Sequence, residues 1–165
     1  MRIAICPGSY DPVTFGHINI IERSSHLFDK VIATVMVNPS KNNWFTLEER
    51  MDMLRRATAN IPNVEIDFHS GLVAEYARQK GACVLVKGLR AVTDFEYEFQ
   101  MALINKKLNP ELETMFITTD ARFMYLSSSA VREIAAFGGD LSDFVPKELE
   151  GMVLSRFSQQ KAKEE

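Results

Sequence analysis

Apolar residues along this chain fall into short continuous runs separated by amphipathic stretches. Residues 3–6, 31–37 and 82–86 are apolar almost throughout. Runs of that length, bounded by Pro7-Gly8, Asn38-Pro39-Ser40 and Lys87-Gly88, read as strands buried on both faces. Residues 64–68 alternate apolar with acidic side chains, as a half-exposed strand does, and 114–119 form a fifth strand. Helical spacing fills the gaps. It appears at 16–28 (Ile18, Ile21, Leu27, Phe28), at 71–80 with Gly81 beyond its end, and at 128–137 closed by Gly138-Gly139. Thr46-Leu47-Glu48-Glu49 and Thr93-Asp94-Phe95-Glu96 both have the form of a capping box, predicting helices over 46–59 and 93–108. Pro146 suits the first turn of a last helix ending near residue 157, and the polar residues 158–165 are expected to fray.

Strands alternating with helices predict an α/β fold, a doubly wound parallel sheet of five strands with helices on both faces and further helices at the C-terminus. With 165 residues, 46% hydrophobic and 25% charged, the chain has the size and balance of one domain, over residues 1–157. A net charge of −3 gives no footprint for nucleic acid, so any anion site is local. Cys6 and Cys83 share no C-x-x-C spacing and sit in apolar runs; both are expected as buried reduced thiols in a cytoplasmic protein. No apolar run approaches the ~20 residues of a membrane span, and Pro7-Gly8 arrives too early for a signal-peptide core.

In doubly wound sheets ligands bind beyond the carboxyl ends of the strands, so the loops there carry the candidate chemistry. The first, Pro7 through His17, has neither a dinucleotide fingerprint nor a P-loop. It has a tight Gly8-Ser9 exit and places Gly16-His17 at a helix start, where free N–H groups favour an anion. His17 could pack beside Ile20 and Ile21. Its place at the mouth of the first strand, with side chains of a first turn tilted toward the N-terminus, instead predicts an imidazole facing the loop. His26 is read as a plain helix residue and His69 as a loop residue. Lys41 follows the second strand. After the fourth, Lys87-Gly88-Leu89-Arg90 brings two cations to the sheet edge. The last loop holds Ser127-Ser128-Ser129 at a helix start, either as caps or as phosphate ligands.

Together these loops resemble the nucleotidyltransferase superfamily marked by H/T-x-G-H and I-S-S-T/S-x-x-R/K, here Thr14-Phe15-Gly16-His17 and Leu126-Ser127-Ser128-Ser129-Ala130-Val131-Arg132. Within it the chain is similar to bacterial phosphopantetheine adenylyltransferases. The similarity rests on Pro7-Gly8-Ser9-Tyr10-Asp11-Pro12, Pro39-Ser40-Lys41, Phe45-Thr46-Leu47-Glu48-Glu49-Arg50 and the run Gly88-Leu89-Arg90-Ala91-Val92-Thr93-Asp94-Phe95-Glu96-Tyr97-Glu98.

The resemblance implies a Rossmann-like nucleotidyltransferase fold and transfer of the adenylyl group of ATP to 4′-phosphopantetheine. It implies that Ser9, Tyr10, His17, Gly88, Leu89, Arg90, Glu98 and the segment Phe123, Met124, Tyr125, Leu126, Ser127, Ser128 and Ser129 contact ATP. Ser9, Lys41, Val73 and Lys87 would hold the second substrate, and His17, Lys41 and Arg90 would act in catalysis. Lys87, Ser9 and Phe123 depart from the arginine, threonine and tyrosine or tryptophan common at these places. With no His/Asp/Glu cluster to form a metal cage, Mg²⁺ is expected on ATP oxygens. The resemblance also implies a homohexamer. The helix from Thr93 is apolar on two sides, Phe95, Phe99, Ala102 and Leu103 opposite Tyr97, Met101, Ile104 and Leu108; pattern alone fits either assembly or burial within the chain. Rival readings are an adenylyltransferase for nicotinamide mononucleotide, a cytidylyltransferase, or a non-catalytic nucleotide-binding module.

Overall fold

In the computed structural model, which describes residues 1–164 and side chains through residue 158, the apolar runs pair into one parallel sheet. Its strands are β1 (Ile3–Gly8), β2 (Lys30–Val37), β3 (Val64–Ser70), β4 (Val84–Leu89) and β5 (Glu113–Thr118), in the order β3-β2-β1-β4-β5. The intervening helices are α1 (Phe15–Ser25), α2 (Leu47–Ala57), α3 (Val73–Lys80), α4 (Val92–Leu108), α5 (Ser128–Ala136) and α6 (Lys147–Glu164). Chain direction across the sheet reverses between β1 and β4, and loops leaving those two strands diverge to leave a crevice.

Alternation along the strands divides the core in two. Ala4, Cys6, Val31, Ala33, Val35 and Val86 face α1, α2, α5 and α6 and form the larger cluster with Ile21, Met53, Leu54, Val131 and Val153. Ile5, Ile32 and Leu85 face the other way, onto Ala74, Tyr76 and Ala77 of α3 and onto Leu112. That second layer is thin. On α4 only Asn105 is buried, while Phe95, Tyr97, Phe99, Leu103, Ile104 and Leu108 all stay exposed. Phe95 stacks on Phe99 and meets Phe116 edge-on. Much of both apolar stripes of α4 therefore remains uncovered by the chain itself, with Met101 and Ala102 half-buried. Among the described residues no helix is long and apolar enough to cross a membrane.

Several sequence expectations need correction. α6 continues to Glu164 instead of ending near residue 157, because no Gly or Pro follows Phe157 to stop it; Glu165 lies outside the described residues. β4 runs through Lys87, Gly88 and Leu89, so these are strand residues rather than a loop. β3 likewise extends to include His69, whose ring stacks on Tyr76. α3 starts two residues late, since Gly71 has φ +125°, outside any helical range. Cys83 is exposed at the edge of β4, whereas Cys6 is buried as expected.

The two capping boxes part company. Thr46 caps α2 as its sequence form requires: it accepts from Glu49 N, and Glu49 accepts from Thr46 N at 2.8 Å. α4, however, starts at Val92 after an Ala91 N-cap with no side-chain bond. Thr93 is already inside the helix, and Asp94 is engaged elsewhere. Thr46→Ala should therefore cost about 1 kcal/mol in urea denaturation, and Thr93→Ala no more than about 0.5 kcal/mol.

Candidate active site

The crevice between β1 and β4 opens into a cavity of about 450 Å³. Its floor is made by Cys6, Pro7 and Gly8 of β1 and Val86, Lys87 and Gly88 of β4; its walls come from α1, the start of α4 and the start of α5. Gly88 is needed there for space. A Cβ on it would stand 2.9 Å from Ile20 Cγ1, so only a glycine lets β4 approach α1 this closely.

The loop from β1 to α1 is locked from several sides. Tyr10 has φ +50°, a conformation rare for a bulky residue. It is buried, donates its hydroxyl to Cys6 O at 2.7 Å, and sets its ring edge-on to His17 at 5.0 Å. Thr14 caps α1, and His17, the third residue of the helix, closes the box: Thr14 N donates to His17 Nδ1 at 3.0 Å. Because Nδ1 accepts a backbone N–H, the ring proton of the neutral imidazole sits on Nε2. Nε2 makes no hydrogen bond among the described residues, and His17 lines the cavity. Burial pushes the imidazole pKa down to about 4, and the nearby Arg90 charge adds to the effect. The ring is thus a neutral donor at ordinary pH.

Two cations face it. Arg90 is held in place by Asp94, which accepts from Arg90 N and Nε at 3.2 Å, and Arg90 Nη1 donates to Leu126 O at 3.0 Å. That second bond ties the β4 loop to the loop preceding α5. Lys87 points from β4 to Glu98 on α4, 3.3 Å away. On the far wall the three serines divide their work. Ser127 caps α5 by accepting from Ala130 N, Ser128 Oγ donates to Pro12 O at 2.7 Å, and Ser129 Oγ accepts from Arg132. The amides of Ser128 and Ser129, at the first turn, find no acceptor among the described residues and give that wall positive potential.

Of the residues singled out from the sequence, the cavity gathers Tyr10, His17, Lys87, Gly88, Arg90, Glu98, Leu126, Ser127, Ser128 and Ser129. Ser9, Lys41, Val73, Leu89, Phe123, Met124 and Tyr125 lie outside its lining. Lys41 sits on the exposed turn after β2, where Asn38 accepts from Ser40 N and from Lys41 N. Val73 opens α3 beside the smaller core. The expected convergence of three cations on His17 is therefore met by Lys87 and Arg90, with Lys41 standing apart. Sequence reasoning missed Asp94 as the holder of Arg90, because Arg90 precedes α4 and the pair joins the end of β4 to the first turn of that helix. It also assigned Asp11, Arg50 and Arg132 no role, although each lies within a motif quoted for the family resemblance.

A side-chain nucleophile is not evident. Burial pushes the Cys6 thiol up to about 12, with smaller opposing effects from Ser24 and Lys87, so no thiolate forms near neutral pH. The serines lack a base, since the His17 acceptor nitrogen is committed to Thr14. What remains is one neutral donor, two cations and a helix start around a single cavity. That set suits binding and polarising phosphates rather than covalent catalysis.

Comparison with known proteins places this arrangement. Residues 5–134 match the Cytidylyltransferase-like family. The phosphopantetheine adenylyltransferase of Caldanaerobacter subterraneus subsp. tengcongensis is 55% identical over 157 residues, covering 95% of this chain and 98% of that protein. The phosphopantetheine adenylyltransferase of Alkaliphilus metalliredigens is also 55% identical, over 89% of this chain and 94% of its own length. The chain belongs to the phosphopantetheine adenylyltransferase family. A solved structure of Plasmodium falciparum nicotinic acid mononucleotide adenylyltransferase complexed with NaAD superposes with a TM-score of 0.65 over 97% of this chain and 96% of that one, at 12% identity. At that identity the likeness establishes the nucleotidyltransferase fold alone. This member of the family has a crevice at the sheet's reversal point and a histidine at its mouth.

The state of His17 has a measurable consequence. NMR titration of its ring should show a midpoint near 4 rather than the ordinary 6.5. The unfolded chain takes up this proton first. Stability should therefore be unaffected by His17 above pH 6.5 and fall as pH drops from there through 4. Wild-type protein should lose more stability across that window than His17→Gln, measured by denaturant titration at fixed pH values.

Proposed function

We infer that this chain transfers the adenylyl group of ATP to 4′-phosphopantetheine, giving dephospho-coenzyme A and pyrophosphate, a step in coenzyme A biosynthesis. The observation that carries the reading is the grouping of His17, Lys87 and Arg90 around one cavity that offers no nucleophile of its own. The near full-length similarity to phosphopantetheine adenylyltransferases chooses the acceptor.

The acceptor phosphate is itself the nucleophile. One of its oxygens attacks the α-phosphorus of ATP in line, a new P–O bond forms, and the bond to pyrophosphate breaks. The protein's task is to bring two polyanions together and absorb the charge that builds on the transferred group. His17 Nε2–H donates to that charge. Arg90, kept rigid by Asp94 and Leu126 O, holds ATP phosphates, with Ser127, Ser128 and Ser129 on the opposite wall. Lys87, Ser9 and Lys41 hold the acceptor's phosphate, Lys41 reaching in from its exposed turn, and Val73 lines the path of the pantetheine arm. Tyr10, Gly88, Leu89, Glu98, Phe123, Met124, Tyr125 and Leu126 complete the ATP surface. Tyr10 contributes through its backbone and ring edge, since its hydroxyl is occupied by Cys6 O.

Among the described residues no three His, Cys, Asp or Glu side chains group as metal ligands, and the cavity's acids Asp94 and Glu98 are held by Arg90 and Lys87. The donor set therefore fits no protein-made cage. Mg²⁺ arriving on ATP oxygens would neutralise part of the phosphate charge. The enzyme works in the cytoplasm, where ATP is available, and as a homohexamer. The uncovered stripes of α4 support self-association, and light scattering should give a six-chain mass.

The reaction itself is tested by supplying ATP and Mg²⁺ with a panel of phosphorylated acceptors and following pyrophosphate. Release should require 4′-phosphopantetheine; release with nicotinamide mononucleotide, or with CTP in place of ATP, would replace this reading by a sister activity. His17→Ala should lower kcat by about 10²–10³ while ATP affinity stays within a few-fold, measured by steady-state kinetics beside calorimetric binding.

A further inference from the structure

Asp11 is buried, and nothing in the proposed chemistry uses it. Its carboxylate reaches 33 and 34 residues along the chain. Oδ2 accepts from Trp44 N and Oδ1 from Phe45 N, both at 2.9 Å. Arg132 Nη1 donates to Asp11 O and stands 3.7 Å from Oδ2. In the opposite sense Arg50, buried at the start of α2, donates from Nη1 to Ser9 O at 3.0 Å and from Nε to Thr46 O. An acid from the first loop thus grips the entry to α2, and a guanidinium from α2 grips the first loop. Two charge-assisted links of this kind, both in a poorly solvated place, are stiff.

The segment they hold is the one that carries Lys41. Residues 38–42 are exposed, and the hydrogen bonds found for them stay within the turn: Ser40 N and Oγ to Asn38 Oδ1, and Lys41 N to Asn38 O. The turn is therefore fixed only at its ends, by β2 on one side and by Trp44 and Phe45 on the other. Trp44 is pressed from outside by Phe157 at 4.6 Å, but its direction is set by the Asp11 bond.

We propose that Asp11 is a positioning residue: its carboxylate sets the distance between the Lys41 turn and the Ser9 loop, and through Lys41 the grip on the acceptor phosphate. The proposal rests on the assignment of Lys41 to that phosphate under the proposed function. An asparagine at this position would keep an acceptor for one of the two amides, turn an N–H donor toward the other and remove the charge, weakening the downstream anchor of the Lys41 turn.

The test is a four-enzyme cycle of wild type, Asp11→Asn, Lys41→Ala and the double variant, assayed for pyrophosphate release with 4′-phosphopantetheine and ATP varied in turn. Asp11→Asn should raise KM for 4′-phosphopantetheine about tenfold or more and leave KM for ATP within about twofold. In the Lys41→Ala background the same substitution should add no more than about twofold, because the residue it acts through is gone. Hydrogen exchange at Trp44 and Phe45 should quicken in Asp11→Asn while Ala4–Cys6 in β1 stays protected, which establishes that the sheet is intact. If Asp11→Asn does not fold, Asp11→Ser takes its place in the cycle, since a hydroxyl removes the charge without setting an N–H donor against either amide. A full tenfold effect in both backgrounds, or equal rises in both KM values, overturns the Asp11 proposal alone. An unchanged KM for Lys41→Ala overturns the Lys41 assignment and this proposal with it.

Discussion

The bond from Thr14 N–H to the Nδ1 of His17 is the constraint on which the rest of the site depends. It ends the first loop, starts α1 and chooses the tautomer of the ring in one contact. A glutamate at the same helix position would complete an ordinary capping box and bring a negative charge to the cavity. The histidine does the capping with a neutral ring and retains a donor at its far nitrogen. Its lowered pKa follows chiefly from burial of the ring, and the charge of Arg90 adds to it.

The other groups reach this donor through the order of strands. With β4 next to β1, the cations that end β4 lie across a narrow gap from the loop that ends β1. Gly88 lets the gap close, since a side chain there would strike Ile20. Arg90 then extends the connection to a third loop through Leu126 O. Residues separated by more than a hundred positions in sequence, from Tyr10 to Ser129, thereby share one cavity. Each is held by backbone or paired side chains rather than by a ligand, which is what a site built ahead of its substrates requires.

Much of this was legible in the sequence. The hydrophobic pattern located all five strands, β3 correctly as a half-exposed one, and parallel pairing followed from the alternation of strands with helices. The motif Thr14-Phe15-Gly16-His17 pointed to the first loop, and Lys87 and Arg90 to the second. What escaped had a common physical cause: it depended on partners distant in sequence. Thr93 through Glu96 has the spelling of a capping box, but Arg90 claims Asp94 and the helix starts earlier. Lys87 to Leu89 looks like a loop because charge and glycine interrupt the apolar run, yet β5 pairs with those residues and draws them into the sheet. Asp11 lies in a motif, but the motif does not show its role, because its two amide partners lie beyond the second strand. Lys41 could be named by likeness to a family, while its exposed turn separates it from the lining that the other cations share.

The pair formed by Lys87 and Glu98 has a consequence for what the crevice attracts. The ammonium already has a carboxylate for company, so a halide drifting in from solvent gains little by approaching it. A doubly charged phosphate presents several oxygens and enough charge density to draw the ammonium away, releasing the glutamate to other donors. Any anion that binds Lys87 must therefore compete with Glu98, which favours high charge density over shape.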